Sequence, residues 1–533
     1  MPTLQWIGKE KIINHHLDVP FRVLNHQYGF TEKGEQTGQT GAGNMIIHGD
    51  NLEALKALLP KYEGKIKCIY IDPPYNTGNE GWVYNDNVNH PKIKKWLEKT
   101  LAAKVGDKEA TIGTDDLTRH DKWLCMMYPR LQLLNKLLSQ DGVIFVSIDE
   151  TEIAHMRIIC SEIFGSSNLV ASFVWRRRAS SMLSQNNVSV DHEYVVAYSK
   201  SPIKLSGISK DYKNYSNPDD DPRGSWTLGD LTVGMTKDQR PNQYYDLVDE
   251  RTGIVYPPSS KRVWTFAPDS MKAKIEEGRV VFPKNKTGRP MLKRYLNELK
   301  SEKNPISTWL NNDAYSIGLN SEGTKVLQNI FDEKKFDYPK PLTLIELLVS
   351  QITRESDIIL DSFAGSGTTA HAVLNLNKSD DGNRKFILIE MEEYANEITA
   401  ERVKRVINGY ADKEGTNGQF DYYELGETLF NDDGNLNENV GLEKIREYLW
   451  FTETRSSEPF NNADHLGNFN GTSYYFLYRI GEVTALDYET LAKTVKQRSD
   501  NYIIYADNCL LSEEFMQLNN IIFKKIPRDI SRF

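Results

Sequence analysis

Cysteine is scarce. The chain has four in 533 residues, Cys68, Cys125, Cys160 and Cys509, and no CxxC pair. Such scatter argues against a disulfide framework or a cysteine-based zinc cluster and fits a reducing, cytoplasmic compartment. Long apolar runs are also missing. None approaches the ~20 residues that span a bilayer, so no membrane is expected. The opening residues, Met1-Pro2-Thr3-Leu4-Gln5-Trp6, lack a basic region followed by an apolar run, so no secretory signal is expected. A surplus of positive charge is absent too: the net charge is −9. That total does not mark a nucleic-acid binder, but its distribution is uneven. Between Lys237 and Lys303 there are 15 Lys/Arg against 9 Asp/Glu. A local basic face is what phosphate contact requires, although charge alone favours an ordinary solvated face. The second histidine of a zinc-binding helix is missing as well. His192-Glu193 runs on into Tyr194-Val195-Val196 and reads as structural, and no metal is expected.

What is present is a globular composition, 39% apolar and 26% charged, long enough for three or four domains. Met45–His48 reads as a short strand, and Asp50-Asn51 can cap a helix carrying Leu52, Leu55, Leu58 and Leu59 on one face. Cys68–Ile71 reads as the end of a buried strand. Leu131, Leu134, Leu137 and Leu138 mark a helix, Val143–Ile148 a buried strand, and a further helix reaches Phe164. Ala171–Trp175 and Tyr194–Tyr198 read as strands, the latter antiparallel. Strand and helix alternation predicts a parallel sheet with right-handed crossovers. The pattern pauses where turns and interleaved basic and aromatic residues dominate. It resumes with an apolar helix near Leu344–Ile352 and strands at Asp357–Leu360 and Lys385–Glu390. The expected divisions are a lead-in at 1–44, a first half-domain at 45–200, an insert at 201–335, a second half-domain at 336–410 and a C-terminal α/β domain at 411–533. Residues 76–122 form a long polar stretch with a helix expected near Lys92–Leu101. A loop of that length is usually functional, and Trp82 and Tyr84 are candidates for base contact.

Two stretches carry chemistry. In Asp72-Pro73-Pro74-Tyr75 the prolines end ladder pairing and hold the chain in an extended turn at the rim of a sheet, where open α/β folds bind ligands. A carboxylate, a rigid carbonyl and an aromatic face can bind an amino group from two sides while stacking on its ring. The second stretch, Asp361-Ser362-Phe363-Ala364-Gly365-Ser366-Gly367-Thr368-Thr369-Ala370, fits the GxGxxG/A turn between strand and helix. Glu390, at the tip of the next strand, can accept from ribose hydroxyls. The turn alone is shared with NAD enzymes. Asp361 facing an ammonium and Phe363 beside an adenine or sulfonium favour S-adenosylmethionine.

Together these motifs resemble the amino-group DNA methyltransferases. Their order, Asp72-Pro73-Pro74-Tyr75 first and Phe363-Ala364-Gly365-Ser366-Gly367 last, resembles the β class, a circularly permuted Rossmann-like methyltransferase sheet with an inserted target-recognition domain. His48–Leu55, Val143–Glu150, Asp191–Tyr194 and Ile526–Ile530 resemble the modification (Mod) subunits of type III restriction–modification systems. The resemblance implies N6-methylation of adenine in double-stranded DNA by base flipping. It implies S-adenosylmethionine as cofactor, a helicase–nuclease partner, a homodimer, and a prokaryotic, cytoplasmic, nucleoid-associated protein. It assigns Asp72, Pro73, Pro74 and Tyr75 to the target base. It assigns Asp50, Asp361, Phe363, Ala364, Gly365, Ser366, Gly367, Thr368 and Glu390 to the cofactor, with Asp50 at its adenine. Lys340-Pro341 resembles the segment closing the methionine end, but the altered Phe336-Asp337-Tyr338-Pro339 before it weakens a role for Lys340. The ring of Tyr75, rather than its hydroxyl, is expected to matter. Arg176-Arg177-Arg178 and residues 261–303 are candidates for phosphate contact. A cytosine-N4 methyltransferase and a catalytically dormant DNA-specificity module stay open as alternatives.

Overall fold

Strands such as Cys68-Ile69-Tyr70-Ile71 and Val143-Ile144-Phe145-Val146 are apolar at every position rather than alternately. They require burial on both faces, as in a parallel sheet covered by helices. The computed structural model has that arrangement. It describes residues 3–78, 114–181, 187–259, 261–283, 287–311, 315–456 and 460–531. The expectations for Trp82, Tyr84 and Lys92–Leu101 fall outside them.

An eleven-stranded sheet is built from β1 (Arg22–Thr31), β2 (Gly34–Gln36), β3 (Met45–His48), β4 (Ile66–Ile71), β5 (Leu138–Ile148), β6 (Leu169–Arg176), β7 (His192–Ser199), β8 (Trp309–Leu310), β9 (Ile358–Asp361), β10 (Lys385–Glu390) and β11 (Phe420–Thr428). Its order is β8-β6-β7-β5-β4-β9-β10-β3-β11-β1-β2. From β5 to β11 neighbours are parallel, while β7 runs antiparallel to both β5 and β6. In the register of β4 and β9, Cys68 sits opposite Ile359 and Ile69 opposite Leu360. Segments roughly 290 residues apart in the chain thus end side by side. The connections leave these two strands in opposite directions, and the crevice beyond such a switch point is where open α/β sheets bind ligands.

Helices α1 (Asn51–Tyr62), α2 (Thr114–Leu137), α3 (Ile153–Phe164), α4 (Asn320–Phe331), α5 (Leu342–Ser350), α6 (Thr368–Asp380) and α7 (Glu401–Asn408) accompany the sheet. Trp123, Leu131, Leu134 and Leu137 of α2 are buried in one core with Ile144 and Val146 of β5. No helix among the described residues is long and apolar enough to cross a membrane. Cys68, Cys125 and Cys160 are free and buried, and Cys509 is free and half-buried.

Three boundaries differ from expectation. The lead-in at 1–44 contains β1, which pairs with β11, so both chain-terminal regions extend the central sheet. The insert forms a compact unit over Ser206–Ile306 rather than 201–335. Residues 307–335 belong to the larger unit, because β8 adds to β6 and α4 buries Leu327, Ile330 and Phe331. The inserted unit has its own core of Leu231, Leu247, Tyr256, Trp264 and Met271. Its sheet joins Trp226–Asp230, Met291–Tyr295 and Val280–Val281. The C-terminal region carries a four-stranded sheet of His465–Phe469, Thr472–Phe476, Asn501–Ala506 and Ile521–Lys525.

Candidate active site

The chain leaves β4 at Ile71 and enters the proline turn without further strand pairing. Two flanking residues are anchored. The Pro74 carbonyl accepts from the indole of Trp123, which is fully buried in α2 (2.8 Å). Asn76 adopts a left-handed φ of 61°, a conformation that asparagine tolerates better than most residues. Its amide donates to Oε1 of Glu152 (2.5 Å). Glu152 is fully buried at the start of α3 and also meets Nδ1 of His120 (2.5 Å) and Nδ1 of His155 (2.7 Å). That carboxylate raises the pKa of His155 above its ordinary value. His120, Glu152 and His155 are a set that could hold a metal ion, their ligand atoms all lying within 4.8 Å of one another. In this structure both imidazoles are engaged by the carboxylate itself.

Asp72 and Tyr75 meet a lysine. Lys340 Nζ lies 3.0 Å from Asp72 Oδ1 and 3.3 Å from Glu193 Oε2. It donates to the Tyr75 hydroxyl (2.7 Å) and stands 4.7 Å from the centre of the Tyr75 ring. The Tyr75 hydroxyl donates onward to Glu193 (3.0 Å), which also accepts from Arg177 (2.8 Å). Burial opposes the charge of Glu193, but Lys340 and Arg177 outweigh it and hold the carboxyl below its usual range. Asp72 has Lys340 without the arginine. Burial raises its pKa, Lys340 works against that, and the charge of Glu193 adds to it. Lys340 is raised: burial disfavours its charge, and Asp72 and Glu193 more than compensate.

The glycine turn follows β9. Gly365 and Gly367 have φ of 51° and 78°, where a Cβ is unfavourable. A Cβ on Gly367 would stand 3.1 Å from the Thr399 carbonyl, and one on Gly365 would stand 3.4 Å from the ring of Phe336. The hydroxyl of Thr399 donates to the Gly365 carbonyl (2.5 Å). The fully buried Arg402 donates to the Ser366 hydroxyl (3.0 Å) and the Thr368 hydroxyl (2.8 Å). Asp361 accepts from the Phe363 amide (3.0 Å) and the Thr369 hydroxyl (2.5 Å). Glu390 accepts from the amides of Gly365 (2.6 Å) and Glu392 (3.0 Å). Burial pushes each of these two carboxyls up to about 7.

One cavity of about 670 Å³ joins both turns. Asp72, Pro73, Pro74 and Tyr75 line it, as do Asp361, Phe363, Ala364, Gly365, Ser366, Thr368 and Glu390. Asp50 and Gly367 are not among its lining residues. The Asp50 carboxylate caps α1, accepting from the amides of Leu52 (2.9 Å) and Glu53 (3.1 Å). Gly367 caps α6. Lys340, Glu193 and Arg177 also line the cavity. The sequence does not single out Glu193 as a site residue, since His192-Glu193 lacks the second histidine of a zinc motif and reads as structural. Its place on a strand beside an apolar run was the available signal, since a buried acid there needs partners. Arg177 serves Glu193, while Arg176 turns to the carbonyls of Arg178 (3.2 Å) and Ala179 (2.9 Å).

A family model described as a DNA methylase matches residues 66–401. The chain belongs to the DNA methylase family. This family member is 32% identical over 383 residues to the type III restriction-modification enzyme StyLTI Mod subunit of Salmonella typhimurium, covering 68% of this chain and 57% of that relative. It is 30% identical over 464 residues to the EcoPI Mod subunit of Escherichia phage P1, covering 76% and 68%. To the type II methyltransferase M.KpnI of Klebsiella pneumoniae it is 31% identical over 393 residues, covering 69% and 85%. The chain thus spans somewhat more than half the length of the StyLTI Mod subunit. Similar solved structures include the M1.HpyAVI–SAM complex, at 14% identity over 67% of this chain and 99% of that one, with a TM-score of 0.29.

Proposed function

We propose that this methylase-family chain moves a methyl group from S-adenosylmethionine to the N6 amino group of adenine in double-stranded DNA, as the modification subunit of a type III restriction–modification system. One observation carries the reading. The Asp72-Pro73-Pro74-Tyr75 turn and the Gly365–Gly367 turn open into the same cavity. The similarity to Mod subunits supports it. An aspartate rather than a serine at position 72 favours adenine over cytosine N4. A helicase–nuclease subunit and a second copy of this chain are the partners that go with this reading.

The cavity fits the cofactor on its own chemistry. Its size lies within the range of ordinary ligand pockets. Gly365 leaves out a Cβ that would narrow it beside Phe336, and the buried acids Asp361 and Glu390 offer acceptors for an ammonium and for ribose hydroxyls. When bound, the cofactor supplies an electrophilic methyl group on a sulfonium.

The chain's residues supply the rest. Asp72 and the Pro73 carbonyl accept the two N–H bonds of the target amine, which withdraws its lone pair from conjugation and frees it for attack. Asp72 is the acceptor for the proton the amine must lose. Lys340 occupies one oxygen of Asp72 and favours its ionised form, and Glu193 with Arg177 holds Lys340 there. The Tyr75 ring stacks on the extrahelical base, which recovers roughly 1–3 kcal/mol of the stacking lost on leaving the duplex. Holding both reactants in line accounts for on the order of 7–11 kcal/mol of such a barrier.

The test uses purified chain, tritiated cofactor and DNA, followed by sequencing that separates N6-methyladenine from N4-methylcytosine. Label in adenine is expected. The Asp72→Ala variant should lose transfer and keep cofactor binding by calorimetry. Label in cytosine N4, or an active Asp72→Ala variant, overturns the assignment.

A further inference from the structure

Residues 336–340 form part of the cavity wall and are tied down at both ends. The Phe336 ring packs edge-on against Tyr394 at 5.5 Å and faces Gly365. Lys340 is fixed on Asp72, Tyr75 and Glu193. Between these anchors stands Tyr338, which also lines the cavity. Its side of the segment is open: Tyr338 is 82% exposed. Its φ is 53°. A left-handed backbone is unfavourable for a bulky residue, and the following Pro339 restricts position 338 further. Burial of the ring, which normally repays an aromatic side chain, is absent here. Glycine would suit this backbone better. Strain held at a site where it does not serve packing points to function.

We propose that Tyr338 is a base-stacking residue at the mouth of the cavity, receiving the target base as it leaves the duplex. The proposal rests on the DNA-methylating reading given above. The mouth is where an extrahelical base must pass to reach Asp72 and Tyr75. An exposed ring on a segment anchored at both ends offers it a π-face whose position is already set. Stacking of this kind tolerates any base, so Tyr338 would act on the flipping equilibrium rather than on the choice of sequence.

The test compares Tyr338→Gly and Tyr338→Phe with the unaltered chain. Flipping is read on a duplex carrying the site that the unaltered chain methylates, with 2-aminopurine at the target position, and KM is read on the same duplex with adenine there. Tyr338→Gly should melt at a higher temperature than the unaltered chain and bind S-adenosylmethionine within about twofold of it. Its 2-aminopurine signal should collapse, and KM for the adenine duplex should rise by roughly 5- to 150-fold, as expected for one lost base–aromatic stack. Tyr338→Phe should keep both signal and KM within about twofold, because the ring is retained. An undiminished 2-aminopurine signal in Tyr338→Gly overturns the proposal, as does a Tyr338→Phe variant as impaired as Tyr338→Gly. If the unaltered chain methylates no DNA, the functional reading fails and this one with it. That result is distinguishable, because it is seen before any variant is made.

Discussion

Lys340 sets the electrostatics of the candidate site. It is the one cation within 3.0 Å of Asp72 among the described residues, and burial already raises that carboxyl. Removing the cation removes the main influence holding the pKa down. A Lys340→Met variant should therefore lose activity on the acidic side first. The acidic limb of its pH–rate profile should move to higher pH, with a larger deficit at pH 6 than at pH 8. An unshifted limb would separate Lys340 from Asp72. The same lysine changes what is expected of Tyr75. Its hydroxyl accepts from Lys340 and donates to Glu193, so it carries part of this network besides the stacking face that the sequence suggested. At this scale the sequence was readable wherever chemistry clusters along the chain, as in Asp72–Tyr75 and Phe363–Gly367. It was unreadable where partners arrive from distant segments. Nothing beside Glu193 or Lys340 in the chain indicates that they share one tyrosine.

The Asp72–Tyr75 turn is held by helices rather than by its own prolines alone. Glu152, at the start of α3, accepts from Asn76 and engages both His120 and His155. Glutamine at this position keeps the shape but removes the negative charge that Asn76, His120 and His155 share. Glu152→Gln should destabilise the fold by about 1.5–3 kcal/mol, as loss of hydrogen bonding to a charged group does, measured by denaturant unfolding. Histidine titration followed by NMR should show the pKa of His155 falling back toward its ordinary value. An unchanged His155 would mean that the carboxylate is not its partner. The elements themselves were legible where they are continuously apolar: β3, β4 and β10 stand where the runs of isoleucine, valine and leucine place them, whereas β5 starts at Leu138, which the leucine spacing assigns to the helix before it. The two-residue β8 was not legible, since Trp309-Leu310 has no periodicity to detect, and this is why the sequence extends the insert to 335 where the structure ends it at Ile306.

For the molecule as a whole, two acids buried at the switch point link stability to pH. Asp361 and Glu390 titrate at about 7 in the fold and near 4 in an unfolded chain. Their folded pKa is raised, so the stability they contribute is complete below about pH 4 and is lost as pH rises through about 7. Asp361→Asn should flatten this dependence. Without cofactor, its melting temperature relative to the unaltered chain should improve between pH 6 and pH 8, and equal slopes would refute the shift. The overall plan was visible in the order of the motifs, because a strand ending in Asp72 and another ending in Asp361 belong together only as neighbours in one sheet. The contribution of both chain-terminal regions to that sheet was not visible, since β1 and β11 show neither an unbroken apolar run nor a regular alternation.

The inserted unit begins and ends in one place. Ile208–Ser209 pairs antiparallel with Lys303–Asn304, so the chain enters and leaves Ser206–Ile306 through a two-stranded neck. A module with adjoining ends behaves as an exchangeable cassette. Its length and content can be rewritten while the separation its ends impose on the flanking chain stays the same, and closing a longer loop between fixed ends adds only about 0.6 kcal/mol per doubling. Descendants of this chain could therefore acquire a new inserted unit in a single recombination event without re-evolving the larger unit.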